Sequence, residues 1–434
     1  MRSRIKEKIL QLKNFNWRLW IALCSLALIP AIYQTIKTFL ISTSCQDNVF
    51  NIIGQMEWFD LINETLQAFL IIPLYSILNK ILKDKKINFA ESTFKTGFIV
   101  FSLYMLFSIG VLIYGSILIQ AMNPDKINLS ITTTYLRLET IVFMVRIIVS
   151  FVNVVFVVLG KDKNVYIFFL VEIILSLITD LLLIPNFGVY GVAISNMIVS
   201  IILAVTGILI LYFQKYIKFC RFKKEDINIF KEWCKIGVFS GLQQFIDNFV
   251  YAIMICKMVN LVAEQGNYWL ANNFIWGWLL IPITALSEVI RSDCKEGYEN
   301  LKQFNYYFIV SMVVISWVLS IPIWKPFFQY VEKISNAEEI FLIVIKLVPF
   351  YIAYAGCAII DNIFIGLGKT IYNAINSLII NIIYYGVFYV LYLTKAIEFN
   401  MNVIILMFGF GMVVHLIVSF IEEKIIYKKS KIHV

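Results

Sequence analysis

Apolar residues in this chain come in blocks about as long as a bilayer is thick. Roughly twelve segments of about 20 residues or more lie near 17–42, 56–81, 95–121, 133–159, 164–186, 189–214, 233–258, 268–291, 304–324, 339–366, 371–394 and 402–424. Blocks of that length predict membrane-spanning helices. The first block is too long for a signal-peptide core, and no small-residue cleavage site follows it, so it is read as helix 1.

The pattern is written twice. VVLGKDKN surrounds Gly160, and IGLGKTIYN surrounds Gly368, about 208 residues later. LIIPLYSILNK around Pro73 and LLIPITALSEV around Pro282 repeat at nearly the same spacing. Two matches at one offset, close to half the chain, point to an internal duplication. Six helices return the chain to the same side, so the repeat is parallel. The expected fold is an all-α integral membrane protein. Its twelve transmembrane helices form two six-helix lobes related by a pseudo-two-fold axis along the membrane normal. The lobes are expected at 1–214 and 233–434, joined by a basic cytoplasmic linker at 215–232.

Composition sharpens this picture. Of 434 residues, 60% are hydrophobic, and the mean hydropathy is +0.81. A water-soluble domain could not bury that much apolar surface. The net charge of +9 does not point to nucleic acid, because its distribution reports topology. Lys and Arg cluster at 2–13, 80–86, 215–235 and 424–431, while STSCQDN, PNFG and VNLVAEQGN have no positive charge. The positive-inside rule then places both termini in the cytoplasm and the linker on anionic lipid headgroups. Of the seven cysteines, only Cys45 is expected to face outward, which argues against a disulfide framework. The abundance of Ile, Asn and Lys suggests a low-GC bacterium, so the expected location is a bacterial inner or plasma membrane.

Residues 160–213 carry a family resemblance. They combine the Gly160 loop, Asp180 twenty residues later, an apolar run to Pro185 and the step Gly188-Val189-Tyr190-Gly191-Val192-Ala193. This resembles helices 5 and 6 of the multidrug and toxic compound extrusion (MATE) family, within the multidrug/oligosaccharidyl-lipid/polysaccharide (MOP) flippase superfamily. IYQTIKTFLIS resembles that family's opening helix, TYLRLE at 134–139 the start of its helix 4, and KIGVFSGLQQFIDNFVYAIM at 235–254 its helix 7. The resemblance spans most of the chain through loose motifs. It implies two six-helix lobes around a cleft that opens alternately to each side.

Charges inside a membrane helix cost a few kcal/mol each on insertion scales, so they need a partner, water or a function. Helix 2 holds the densest set: Glu57, Asp60, Asn63, Glu64 and Gln67 fall on about one third of its circumference. For Glu57 and Asp60 the plain alternative is the watery outer interface. Through the repeat, Asp60, Asn63, Glu64 and Gln67 correspond to Trp269, Asn272, Asn273 and Trp276 in helix 8. In the superfamily these two helices border the cleft. An acidic wall opposite indoles and amides suits an organic cation. Interface anchoring is the alternative for the Trp residues. Gln243 and Gln244 of helix 7 are further cleft candidates.

The resemblance also supplies candidates for ion coupling. An N-lobe site in some family members uses a helix 1 Asp with an Asn and an Asp of helix 5. Those positions here are Lys37, Ser176 and Asp180, so only Asp180 is retained. Lys37 reverses the charge, and its ammonium is expected to stand in for a bound cation by pairing with Asp180. Lipid snorkelling is the alternative for Lys37. The C-lobe site of sodium-coupled members uses a helix 7 Glu and a helix 10 Asp. Asp247 matches the first; the second falls near Ala355, with Asp361 six residues further on. Glu139, Arg146 and Glu172 are read as a structural polar network. His415 is read as packing rather than a proton relay.

No phosphate-binding Gly-rich loop, zinc-type Cys/His spacing, nucleophile elbow or dinucleotide fingerprint occurs. The resulting expectation is not an enzyme. It is a MATE-like secondary exporter, acting as a monomer without a cofactor, that exchanges Na+ or H+ for an organic cation. The alternative is a flippase for a lipid-linked oligosaccharide or glycolipid, supported by Lys37, Arg137 and Arg146. A non-transporting scaffold is the weakest reading, because it would have no use for buried carboxylates.

Overall fold

A computed structural model describes residues 15–45, 49–83, 88–123, 128–222, 226–294, 301 and 303–432. The basic run at 2–13 lies outside the described residues. Among those described, the regular elements are helices and there is no strand. In chain order they are α1 (Trp17–Ser44), α2 (Val49–Lys83), α3 (Phe89–Met122), α4 (Leu129–Val158), α5 (Asp162–Phe187) and α6 (Val189–Phe213). α7 runs Asp226–Tyr251 and continues through a π-helical turn, Ala252–Cys256, into Lys257–Leu261. α8 consists of Gln265–Leu279 and Ile281–Asp293, bent by 51°. α9 (Gln303–Val331), α10 (Ala337–Gly366), α11 (Ile371–Leu393) and α12 (Met401–Ile432) complete the set.

Ten of these helices are individually long and apolar enough to cross a membrane, and the bent α8 makes an eleventh. α7, the twelfth helix, does not reach that apolarity, because Gln243, Gln244, Asp247 and Asn248 interrupt its apolar run. The chain is a multi-pass membrane protein.

Packing divides the helices into two compact units. One is Leu40–Gly266; the other joins Met1–Phe39 to Asn267–Val434. Each contains six helices, but the partition differs from the one drawn by the repeat. The first helix of each half falls in the unit of the other half's later helices: α7 with α2–α6, and α1, up to Phe39, with α8–α12.

The seating of α7 on α2 follows from its sequence. Gly237 and Gly241 form a GxxxG pair, which lets helix backbones approach closely in a membrane. A Cβ at Gly241 would lie 2.4 Å from the Phe69 ring, and one at Gly237 would lie 2.6 Å from the Phe69 carbonyl oxygen. Beneath this contact, Leu74, Leu78, Val152, Val155, Phe156 and Leu211 are fully buried.

The repeated motifs adopt repeated geometry. Gly160 and Gly368 have φ of 67° and 70°, the left-handed region that favours glycine. Lys161 N–H donates to Phe156 O at 2.8 Å and Gly160 N–H to Val157 O at 3.0 Å; Lys369 N–H donates to Phe364 O at 2.7 Å and Gly368 N–H to Ile365 O at 3.0 Å. These are two Schellman caps, closing α4 and α10. The proline motifs also match. After Pro73, Leu74 N–H bonds back to Ile71 O at 3.1 Å; after Pro282, Ile283 N–H bonds back to Leu280 O at 3.0 Å. Each shift frees the preceding carbonyl, Leu70 O or Leu279 O, and an indole takes it. Trp233 Nε1 donates to Leu70 O at 3.2 Å, and Trp317 Nε1 donates to Leu279 O at 3.0 Å.

The segment after α6 is tied to the start of α3. Lys218 N–H donates to Ala90 O at 3.1 Å, and its ammonium bonds Glu91 Oε1 at 2.9 Å. That hydrogen bond and the Glu91 charge hold the exposed Lys218 above its ordinary pKa.

Candidate functional site

Polar groups of α2 and α7 meet inside the unit Leu40–Gly266. The helical turn of α2 splits its polar stripe in two. Asp60 and Glu64 are exposed and Gln67 is half-buried. Asn63 is 1% exposed; its Nδ2 donates to Phe59 O at 2.9 Å, and its Oδ1 accepts from the Tyr104 hydroxyl of α3. Asn63 is therefore committed to packing, while Asp60 and Glu64 remain accessible.

Asn248 of α7 joins the two helices. Its Nδ2 lies 2.9 Å from Leu61 O, 3.2 Å from Thr65 Oγ1 and 3.4 Å from Glu64 Oε2. Its Oδ1 accepts from Gln244 Nε2 at 2.9 Å. Gln243 and Asp247 flank this bridge, both half-buried. Beside it lies a cavity of about 660 Å³ lined by α2, α3 and α7, including Trp58, Leu66, Phe69, Leu242, Phe245 and Asn248. Its walls are almost wholly apolar, with Asn248 and Thr65 as the polar side chains. Glu64 does not line this cavity; it is linked to it through Asn248, which does.

In the other unit, α8 presents an aromatic and amide surface. Trp276 is 43% exposed and meets Tyr351 and Tyr354 of α10 edge-on, at centroid distances of 6.4 and 5.4 Å. Asn272 Oδ1 accepts from Tyr351 Oη at 3.4 Å. Trp269 and Asn273 are half-buried, and Asn273 Nδ2 is a buried donor without a hydrogen-bond partner.

The remaining carboxylates are placed as follows. Asp180 is fully buried on α5, one turn beyond Ser176, which is also buried. Lys37 lies in the other unit, 9% exposed. Its ammonium donates to Tyr33 Oη at 3.4 Å and sits 5.7 Å from that ring's centroid, within cation–π range. Asp361 of α10 receives a bond from His415 Nε2 of α12 at 2.9 Å and from Ser419 Oγ at 3.0 Å.

Glu139 and Arg146 each reach a neighbouring helix. Arg146 Nη2 bonds Glu172 Oε1 of α5 at 3.0 Å, and Asn196 Nδ2 of α6 donates to Glu139 Oε1 at 3.4 Å. These bonds tie α4, α5 and α6 together.

Sequence reasoning missed Asn248, Tyr104 and Ser419. Asn248 had a usable signal, since it stands four residues after Gln244 on the same helical face. Tyr104 and Ser419 matter only through contacts between helices distant in sequence.

No protein-family model matches this chain, and no curated relative does. Solved structures do. An inward-facing multidrug resistance MATE family transporter of the MOP superfamily aligns with a TM-score of 0.75 at 14% identity, over 95% of this chain and 98% of that one. A MOP superfamily transporter from Pyrococcus furiosus, described as having a binding pocket of reversed polarity, aligns at 0.65 and 14% identity over 95% and 96%. A MATE protein in complex with Br-NRF aligns at 0.59 and 14% identity over 96% of each chain. The chain has the fold of the MATE transporters of the MOP superfamily.

Proposed function

We propose that this chain is a MATE-like secondary active exporter that moves organic cations outward in exchange for Na+ or H+ by alternating access. The observation that carries the reading is the exposed Glu64 carboxylate, bonded to Asn248, which lines the apolar cavity of about 660 Å³. In this proposal the repeat halves, joined through 215–232, change their relation during the cycle. Both termini are cytoplasmic, the protein sits in a bacterial inner or plasma membrane, and one chain suffices.

Asp247 is the proposed coupling carboxylate. It stands beside Gln243, Gln244 and Asn248 on α7, and a group that binds and releases a cation each cycle must change partners between states. Asp361 and Asp180 are the alternatives. Glu64 is assigned to substrate charge, with Asp60 and Gln67 nearby on α2. The α8 surface of Trp269, Asn272, Asn273 and Trp276 is assigned to stacking and polar contact.

A second reading, a flippase for a lipid-linked oligosaccharide or glycolipid, is favoured by one feature: the cavity wall is apolar enough to receive a hydrocarbon chain. Proteoliposome assays with imposed sodium or proton gradients separate the readings. Asp247→Asn is expected to abolish gradient-driven export of a fluorescent cation. Glu64→Gln is expected to raise the KM for cations and leave gradient dependence intact. Full export by Asp247→Asn would move the coupling role to Asp361 or Asp180. Failure of the wild type to move any cation, with transfer of a labelled glycolipid between leaflets, would favour the flippase.

A further inference from the structure

A second cluster of reactive side chains lies apart from the α2–α7 site, between α10 and α12. Cys357 and Asp361 are one turn apart on α10, so their side chains share a face. His415, Ser419 and Glu422 are spaced four and three residues apart and share a face of α12 in the same way. The Ser419–Asp361 and His415–Asp361 bonds show that these two faces meet. Cys357 Sγ, a carboxylate oxygen of Asp361 and a ring nitrogen of His415 lie within 4.8 Å of one another.

We propose that Cys357, Asp361 and His415 form a binding site for a divalent cation of the Zn2+ class. The donor set selects the ion. Thiolate, imidazole and carboxylate together suit Zn2+ and its late transition-metal relatives, whereas Mg2+ and Ca2+ prefer an all-oxygen shell. Ligands about 2.0–2.3 Å from a tetrahedral ion stand roughly 3–4 Å apart, so the observed spread needs only a small closure. One thiolate and one carboxylate also balance a divalent charge, which suits an apolar interior.

Two independent observations support a ligand here. Glu422 is 6% exposed, stands on the α12 face that carries His415 and Ser419, and has a buried Oε2 without a hydrogen-bond partner. Asn376 is 1% exposed, and its Oδ1 is likewise without one. The cluster thus has a surplus of buried acceptors, which a cation or a metal-bound water would satisfy. The outer shell is already in place. Asn376 Nδ2 donates to Ser419 Oγ at 2.7 Å, and Ser419 Oγ donates to Asp361 Oδ1 at 3.0 Å. Such bonds fix the orientation of a ligating carboxylate. Metal binding releases the Cys357 thiol proton to solvent and leaves the imidazole proton on the ring nitrogen that does not face the metal. Affinity therefore falls as pH falls.

The test uses the full-length protein in detergent, stripped with chelator and titrated with Zn2+ by calorimetry and with Co2+ by absorption. One equivalent of metal is expected, with a thiolate-to-Co2+ charge-transfer band. Cys357→Ser should abolish that band. His415→Ala and Asp361→Asn should each weaken binding by about 100-fold, and Ser419→Ala, which removes no ligand, by about tenfold. Cys294→Ser should change neither affinity nor spectrum. A wild type without saturable binding overturns the proposal, as does a Cys357→Ser protein that keeps the band. Metal-free thermal transitions identify any variant that fails to fold; should Asp361→Asn do so, the Cys357→Ser spectrum still decides.

Discussion

The proline breaks of α2 and α8 are the same defect repaired by different neighbours. In both, the residue after proline bonds back three positions and strands the carbonyl before it. In both, an indole N–H accepts the task of satisfying that carbonyl. Trp233 comes from α7 and Trp317 from α9, so the donors are not repeat-equivalent. A stranded carbonyl in an apolar interior must find a donor; which helix supplies it depends on which one packs there. The shapes differ too. α8 bends by 51°, whereas α2 runs through its break as a single span. α8 has a π-helical turn, Ile275–Leu279, directly before the break, and such turns are a recognised source of kinks. α2 lacks that turn and is instead clamped by Gly237 and Gly241 of α7.

Adding bulk to the clamp should have the largest effect on this comparison. A side chain at Gly241 must displace the Phe69 ring, so Gly241→Leu is expected to destabilise by about 3 kcal/mol and to draw Trp233 away from Leu70. Gly277, in the π-turn of α8, has nothing within 4 Å of an added Cβ. Gly277→Ala should change stability by no more than about 0.5 kcal/mol. Thermal-shift midpoints in detergent read both; equal losses would show that the α2 clamp is not a distinguishing feature. The repairs themselves come next. Trp233→Phe and Trp317→Phe each remove a donor and leave a buried carbonyl unpaired, at about 2 kcal/mol apiece. The two sites lie in separate compact units, so the double variant should lose the sum. A neutral result for either would mean that water or another donor reaches that carbonyl.

Much of this was legible in the sequence, for identifiable reasons. Helix number and the caps at Gly160 and Gly368 depend on local rules: apolar length, and a left-handed residue ending a helix. The offset of Pro73 and Pro282 marked the duplication, but the breaks at these prolines were not read from it. The exchange of α1 and α7 between packing units left no local mark, because it depends on which helix faces which. The polar stripe of α2 was visible, but a one-third arc was too coarse to separate Asn63, which turns inward to Tyr104, from Asp60 and Glu64. Asp361 stood out as a charge in an apolar run. Cys357 and Ser419 did not, and His415, though noted as an intramembrane His, could not be paired with Asp361 because it and Ser419 lie more than fifty residues away.

The smallest expected effect concerns the helix that repairs α8. α9, which carries Trp317, ends in the π-helical turn Phe327–Val331, and Glu332 follows, 7% exposed. Burial pushes the Glu332 carboxyl from an ordinary 4.5 up to about 8. Between those values the folded protein keeps a proton that the unfolded chain has released. Stability therefore falls as pH rises through that window. The thermal midpoint of the wild type should decline from about pH 5 to about pH 8, and Glu332→Gln, which cannot ionise, should flatten that part of the curve. The losses from Trp233→Phe and Gly241→Leu remove no ionisable group, so they should be nearly constant across the same range. Parallel curves for Glu332→Gln and wild type would mean that Glu332 ionises without cost at the end of α9, leaving the contrast between the two breaks purely one of packing and hydrogen bonding.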